Sequence, residues 1–371
     1  MQDRTRRIMM FEVIALFLLC AGLFLTRTRE GEEFAAQAGR FAAGGDISTP
    51  SETQKEFIRW VDFTVTCEAM NQAFRYDVDT CQSDPHLNWV DLLACLGAMY
   101  GGDFSRYQPS DMDDIAGKLR EKTTTVLQLS QSLPSFSYYR EAYGAVLDGL
   151  IGSFEAEIPA RDAPTAYLPT DASGNSLSPD ELGTVWVTKY GLKAFSPIAK
   201  SFPYSDFDDF GVSRSYGYAR RHLGHDMMGQ VGTPIIAVES GRIEALGWNQ
   251  YGGWRIGIRS LDGKRYYYYA HLRKNYPYQS TLKEGDLVQA GDVIGYLGRT
   301  GYSATENTNN IEEAHLHFGL ELIFDESQKD SENEIWVDCY ELTRFLSMNQ
   351  CETSKVEGTK EWTRVYGQRD L

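Results

Sequence analysis

The sequence contains only six cysteines and no Cys-x-x-Cys pair. Five of them lie beyond the N-terminal hydrophobic segment, at Cys67, Cys81, Cys95, Cys339 and Cys351. Because zinc sites built from cysteine mostly use closely spaced pairs, these thiols are poor candidates for metal ligands. Cys339 and Cys351 could form a local disulfide, or both could be buried free thiols.

Long basic runs are also absent, and the formal net charge is −16, from 36 Lys and Arg residues against 52 Asp and Glu residues. Binding to nucleic acid depends on cationic neutralisation of phosphates, so this charge argues against DNA or RNA as the main partner. With 371 residues, 42% of them hydrophobic, the chain is long and apolar enough for two folded domains.

The N-terminal segment predicts a membrane anchor. Arg4, Arg6 and Arg7 precede a nearly uncharged run from Ile8 to Thr26, which is close to the roughly 20 apolar residues that span a bilayer. A cleaved secretory signal has a shorter apolar core, so an uncleaved signal anchor is favoured. We therefore expect a single-pass cell-membrane protein, with residues 1–29 as cytoplasmic tip and transmembrane helix and the C-terminal bulk outside the cytoplasm.

Residue composition and hydrophobic periodicity change several times along the remaining sequence, which predicts an α+β multidomain chain. Its first folded region has apolar residues at helical spacing, as in Phe57, Val61 and Val65, and predicts a small all-α domain of about five helices. Its last region alternates short Val, Ile and Tyr runs with glycine turns, which predicts an antiparallel β-sheet domain with a C-terminal helix. The predicted boundaries are 30–50 for a stalk, 51–159 for the helical domain, 160–182 for a linker, 183–347 for the β-sheet domain with its helix, and 348–371 for a tail.

Five of the six histidines lie in the β-rich region, between His222 and His317. If the first segment is extended, alternation puts His222 and Asp226 on one face, with Gly224 between them leaving room for an ion. His315 and His317 share a face by the same rule. Two imidazole nitrogens and one carboxylate oxygen are a plausible ligand set for catalytic zinc, whose fourth position stays open to water or substrate.

The chain resembles the lysostaphin/LytM-type zinc endopeptidases of bacterial cell walls, particularly membrane-anchored clostridial members. The resemblance spans about residues 210–325 and is carried, in the family's order, by HLGHD, GTPIIAVESGRIEALGW, YGGWRIGI, YYYYAHL, LKEGDLVQAGDVIGYLGRTGYS and HLHFGL. It implies a LytM-type peptidase domain, an antiparallel sheet that forms a groove with zinc on its floor, and peptidoglycan peptides as the substrate.

The resemblance also assigns the site residues by matching position. His222, Asp226 and His317 would bind Zn²⁺, and His271 and His315 would be the unliganded catalytic histidines. The sequence has no His-Glu-x-x-His motif to supply a glutamate base. The base role therefore goes to His315, with His271 orienting the water or holding the oxyanion.

Two functions stay open at this stage. The chain could be a zinc-dependent endopeptidase that hydrolyses peptide crosslinks or stem peptides by zinc-activated water. Alternatively, it could be a non-catalytic scaffold that retains zinc and binds a partner in the cell envelope. Degenerate scaffolds commonly lose a ligand or a catalytic histidine, and this chain has all five positions, which favours the enzyme. A protein partner of the helical domain is unknown.

Between Gly301 and His315 the chain departs from the family pattern with a long loop, Tyr302–Ala314. An oxygen of Glu306, Asn307, Glu312 or Glu313 could occupy the open zinc position and make the loop a lid. The helical domain could also restrain the site by packing over the groove. Alternatively, the loop only shapes specificity and the helical domain is a spacer.

Three further residues near the motifs have ambiguous roles. Alternation along the strand before His271 sends Tyr267 and Tyr269 to the face of that histidine, where they line the groove or pack within the sheet. His225 falls on the face opposite Asp226, as an exposed or packed neighbour of the site.

Overall fold

The structure, a computed structural model, describes residues 63–170, 173–215, 219–329 and 334–371. The predicted anchor and stalk lie outside these ranges. The longest α-helix described has 14 residues, which at about 1.5 Å per residue is shorter than the roughly 30 Å hydrocarbon core of a bilayer. Among the described residues no helix has both the length and the apolar character of a membrane span. The predicted single-pass membrane location is therefore not supported by the part of the chain that the structure describes.

Five α-helices lie near the start of the described chain, which confirms the predicted helical region. Of the apolar residues cited for that prediction, Phe57 and Val61 lie outside the described residues and Val65 precedes the first helix. Local polar groups fix their ends: the Thr66 side chain accepts a hydrogen bond from the backbone N–H of Ala69, and Gly101 ends the second helix with φ +66°. The helices are α1 (Cys67–Thr80), α2 (Trp89–Tyr100), α3 (Pro109–Arg120), α4 (Val126–Ser132) and α5 (Phe136–Leu147), followed later in the chain by α6 (Pro179–Leu182) and α7 (Tyr340–Leu346).

The rest of the described chain is mostly antiparallel β-structure. Its strands are β1 (Ile151–Pro159), β2 (Thr184–Leu192), β3 (Tyr204–Ser205), β4 (Ser213–Ser215), β5 (Ala219–Arg221), β6 (His225–Gly229), β7 (Pro234–Ile236), β8 (Gly241–Asn249), β9 (Gly253–Ser260), β10 (Arg265–Ala270), β11 (Leu287–Val288), β12 (Val293–Tyr296), β13 (His315–Leu322), β14 (Ile335–Val337), β15 (Thr353–Lys355), β16 (Trp362–Arg364) and β17 (Gln368–Asp370).

The largest sheet has the order β11-β8-β9-β10-β13-β6-β3, with β14 also paired to β13. It confirms the predicted antiparallel domain. β13 is central to the site because His317 pairs with Asp226 of β6 on one side and with Ala270 of β10 on the other. Directly paired residues in an antiparallel sheet point to the same face, so this register places His317 and Asp226 side by side.

Two segments differ from their predicted character. Residues 151–159, assigned to the helical domain, form β1, which pairs along its whole length with β2 and also with β17. The predicted tail contains β15, β16 and β17, and both Cys339 and Cys351 are buried and free. The predicted linker connects β1 to β2 and includes α6. These pairings join distant parts of the chain, so no local periodicity in the sequence announces them.

The helical region packs against the face of the large sheet that points away from His317. Arg265 of β10 lies on this face by alternation with Tyr268, and its guanidinium is bound by Glu239 and donates to the backbone oxygen of Ala145 at the end of α5 (3.2 Å). The rings of Trp89 and Phe345 also meet, with centroids 5.6 Å apart. These contacts place the helices on the face of the sheet opposite His317. They do not pack over the groove, which the sequence analysis considers as a possibility.

Candidate metal centre

Three polar side chains meet on the face of the large sheet that points away from the helical region. His222 Nε2 lies 3.0 Å from Asp226 Oδ1 and 2.9 Å from His317 Nδ1, and the last two atoms are 2.9 Å apart. One ligand atom from each residue lies within 4.8 Å of the others, a spacing that one metal ion can bridge. The trio is largely buried, with His222 5% and Asp226 4% exposed. The predicted ligands are therefore brought together in space.

The electrostatics of the trio suit a cation. Although burial alone would lower it, the pKa of His222 is raised to about 9 by hydrogen bonds with Asp209 and Asp226. Burial likewise opposes the shift of Asp226, yet hydrogen bonds from His222 and His317 hold the pKa of its carboxyl far below the usual range. Burial lowers the pKa of His317, which favours its neutral imidazole. Because a ligating imidazole must be neutral, metal binding at His222 would release the proton that its raised pKa favours. Two imidazoles and a carboxylate in a site that favours positive charge fit zinc.

The absence of a side chain at Gly224 lets the His317 ring lie next to Asp226 and His222. A Cβ atom at this position would lie 2.6 Å from Cε1 of His317 and 2.8 Å from the backbone oxygen of Phe318. The sequence predicted that the missing side chain leaves room for an ion. In the structure, the space is taken by the imidazole of His317.

Replacing Gly224 with alanine is expected to push the His317 ring away from Asp226 and to weaken zinc binding by about 10–100-fold, the range for changes that disturb ligand orientation. Competition against a chromogenic zinc chelator measures this affinity. The matched control is Gly117→Ala in α3, where an added Cβ meets no atom within 4 Å. Equal affinity in the two variants would mean that Gly224 does not set the ligand geometry.

His271 lies just beyond β10 in a left-handed conformation, with φ +63°. This residue interrupts the alternation of the strand, so the predicted positions of its tyrosines are wrong. Tyr267 and Tyr269 are buried on the far face, both against Phe318. Tyr268 faces the site instead, with its ring centroid 6.0 Å from that of His317. The turn thus places His271 on the same face as Tyr268.

The two predicted catalytic histidines, His271 and His315, stand beside the trio and present the same ring nitrogen. Nδ1 of His271 donates to the backbone oxygen of Thr300 (3.0 Å), and Nδ1 of His315 donates to that of Glu313 (2.9 Å). When such a ring is neutral, this bond leaves Nε2 as an acceptor. The rings lie 4.8 Å apart between centroids, and Nε2 of His315 is 3.7 Å from Asp226 Oδ2. Burial holds the pKa of His271 well below its ordinary value, so this ring is uncharged at neutral pH.

Glycines let the backbone approach His271 closely. Gly253 has φ +67°, and a Cβ there would lie 2.4 Å from the carbonyl carbon of Thr300, the residue whose oxygen binds His271. A Cβ at Gly301 would lie 2.4 Å from the backbone oxygen of Tyr251. The YGGW and TGYS segments therefore need glycine to bring the two loops together behind the histidine.

The long loop after Gly301 is tied to the sheet by its central asparagine. The side-chain oxygen of Asn307 accepts hydrogen bonds from Trp254 Nε1 and from the backbone N–H of Asn275, both at 2.9 Å. The amide of Asn307 is thus already engaged, whereas the side chains of Glu306 and Glu312 are exposed. Tyr302, at the start of the loop, packs its ring 5.6 Å from that of His271.

Four residues of the site were not identified from the sequence: Tyr268, Tyr302, Asp209 and Arg214. His225, predicted to lie opposite Asp226, is buried there and its Nε2 is 2.9 Å from Asp206 Oδ2. Asp209 and Arg214 precede the HLGHD motif at no characteristic spacing. Only their nearness in sequence to His222 could have drawn attention to them.

An antiparallel sheet that carries a buried His-Asp-His trio, with two more histidines beside it, offers the ligand set of a mononuclear metal site. Residues 220–330 match the model of Peptidase family M23, so this part of the chain carries a domain of that family. The resemblance inferred from the sequence motifs is thereby confirmed.

The chain is similar to two curated peptidases and to one solved structure. The L-Ala-D-Glu endopeptidase of Bacillus subtilis (strain 168) is 36% identical over 130 residues, which are 35% of this chain and 38% of the relative. The peptidoglycan DD-endopeptidase ShyC of Vibrio cholerae is 31% identical over 128 residues, 34% of this chain and 26% of the relative. The catalytic domain of lysostaphin from Staphylococcus simulans, a solved structure, is 36% identical, with 33% of this chain and 85% of that one covered and a TM-score of 0.27. The chain thus spans less than two-fifths of either curated relative.

Proposed function

We propose that this chain is a zinc-dependent endopeptidase that hydrolyses stem peptides or peptide crosslinks of bacterial peptidoglycan. The observation that carries the proposal is the trio of His222, Asp226 and His317, with Nε2 of His271 and His315 available next to it. The names of the two curated relatives, a peptidoglycan endopeptidase and an L-Ala-D-Glu endopeptidase, support the substrate class.

The residues of the site have different roles in the proposed reaction. When bound by the trio, zinc supplies Lewis-acid activation of a water molecule and of the scissile carbonyl. His315 Nε2, 3.7 Å from a carboxylate oxygen of the ligand Asp226, is the general base that takes the proton from the attacking water and later passes it to the leaving amine. A base outside the ligand trio can accept a proton without weakening metal coordination.

His271 is better suited to orienting the water than to holding the oxyanion. Its Nδ1–H is committed to Thr300, and its ring is neutral because burial lowers its pKa. Nε2 can therefore only accept a hydrogen bond, as from a water molecule, whereas stabilising an oxyanion requires a donor. The His271 ring is buried, and the ring of Tyr302 packs 5.6 Å from it.

The test is digestion of purified sacculi, followed by chromatography and mass spectrometry of the soluble fragments. We expect zinc-loaded protein to release peptides with new amino and carboxyl termini, and no new reducing sugar ends. Chelation should stop the release and one equivalent of Zn²⁺ should restore it. Protein that takes up zinc and binds sacculi without releasing peptide would instead support the scaffold function.

A further inference from the structure

An arginine reaches a metal-ligand carboxylate from the hairpin that precedes the HLGHD motif. Arg214 lies on β4, and its Nη2 is 2.8 Å from Oδ2 of Asp226. The same nitrogen contacts Oδ2 of Asp209, a residue that is 1% exposed. The guanidinium therefore bridges two buried carboxylates at the edge of the predicted zinc site.

The two oxygens of Asp226 have different partners. Oδ1 faces the ligand nitrogens of His222 and His317, at 3.0 and 2.9 Å, whereas Oδ2 faces Arg214. A carboxylate can bind a metal ion through one oxygen or through both. A charge-assisted hydrogen bond to Oδ2 keeps that oxygen away from a metal ion and orients Oδ1 toward the histidines.

The backbone fixes the arginine relative to the metal ligands. His222 N–H donates to the oxygen of Val212 (3.0 Å), and Gly211 N–H donates to the oxygen of His222 (2.7 Å), so the hairpin pairing extends up to the ligand. Asp209 completes the arrangement, because its Oδ2 lies 3.1 Å from Nδ1 of His222 as well as next to Arg214. One carboxylate thus links the ligand histidine to the guanidinium.

We propose that Arg214 is a positioning residue of the metal centre, which restricts Asp226 to coordination through Oδ1 and so keeps a coordination position available to water and substrate. The proposal rests on the proposed zinc site. Arginine suits this role better than lysine, because its planar group can bind two carboxylates at fixed angles. Partners of ligating carboxylates are known to tune metal sites in general.

The test compares Arg214→Gln with Arg221→Gln, a control at an exposed arginine of the same hairpin. Both proteins and the wild type are loaded with Co²⁺, whose d–d bands weaken as the coordination number rises. We expect weaker and shifted bands in the Arg214→Gln protein only, because Asp226 becomes bidentate. Its affinity for the metal, measured by chelator competition, should equal or exceed that of the wild type, since a cation has been removed and an oxygen added. Hydrolysis of sacculi should nevertheless fall at least tenfold.

A merely structural role predicts the opposite combination, a loss of metal affinity in parallel with a lower melting temperature. That result, or wild-type bands in the Arg214→Gln protein, would overturn the proposal and leave the proposed function standing. Wild-type protein that binds no Co²⁺ would overturn both. If the Gln variant does not fold, Arg214→Met, which keeps the length of the apolar stem, carries the same expectations. Arg214→Lys, which retains a cationic donor, should recover part of the wild-type band intensity.

Discussion

Alanine at position 222 is expected to abolish zinc binding, whereas the wild-type chain should hold one zinc ion per molecule. Nε2 of His222 is within 3.0 Å of the ligand atoms of both Asp226 and His317, so its removal leaves two protein donors where a catalytic zinc site uses three. The loss of affinity should exceed the roughly 100-fold that removal of an outer-shell partner can cost. Among the described residues, the trio is the one cluster of this kind, which sets the stoichiometry at one.

Elemental analysis after dialysis against a defined free zinc concentration measures this outcome. The matched control is His86→Ala, since His86 lies in the helical region and bonds to Asp77 rather than to the trio. The control should keep one equivalent of zinc, and peptide release from sacculi should persist in it and disappear in His222→Ala. Zinc contents that are equal in the two variants would contradict the assignment of the ligands.

Sequence alternation succeeded where the site is built on regular strands. His317 and Asp226 occupy paired positions on β13 and β6, and His225 falls on the opposite face as period two requires. His222 precedes β6 and is not part of that strand. It reaches the same place because the hairpin pairs its backbone with Val212. The motif therefore singles out a candidate ligand whose geometry the assumed extended strand does not describe.

Alternation failed where the backbone leaves the strand. His271 has a positive φ, its N–H donates to the oxygen of Gly252, and its ring is held by the oxygen of Thr300. Those two partners come from other loops, so nothing within the YYYYAHL segment signals the reversal. Alternation therefore assigns Tyr267 and Tyr269 to the face that Tyr268 occupies in the structure.

Local sequence patterns also do not predict the contacts between distant parts of the chain. β1 pairs with β17 more than two hundred residues later, and the Glu157 side chain accepts from the backbone N–H of Gly367. The contact of Arg214 with Asp226 is short in sequence but depends on how the β4-β5 hairpin folds back. Hydrophobic periodicity carries no information on such pairings, since it reports only which face of an element is buried.

The imidazole of His315 lies next to the trio but does not belong to it. An experiment can therefore test its role separately from metal binding. Nδ1 donates to Glu313, and Nε2 is 3.7 Å from the outer oxygen of Asp226, so neither nitrogen is one of the atoms that would hold the metal. His315→Ala should therefore keep one equivalent of zinc and lose hydrolysis by about 10²–10⁴-fold, the usual contribution of a general base.

The measurement pairs zinc content with the initial rate of peptide release from sacculi for His315→Ala, His271→Ala and the wild type. If His271 orients the water and His315 takes its proton, both variants retain zinc, and the greater loss of rate falls on His315→Ala. Exogenous imidazole should restore part of the rate in that variant, because a diffusible base can enter the space that the side chain has left. A His315→Ala protein that hydrolyses sacculi at the wild-type rate with full zinc content would remove His315 from the mechanism. In that case the base role would pass to His271, whose neutral ring also presents Nε2.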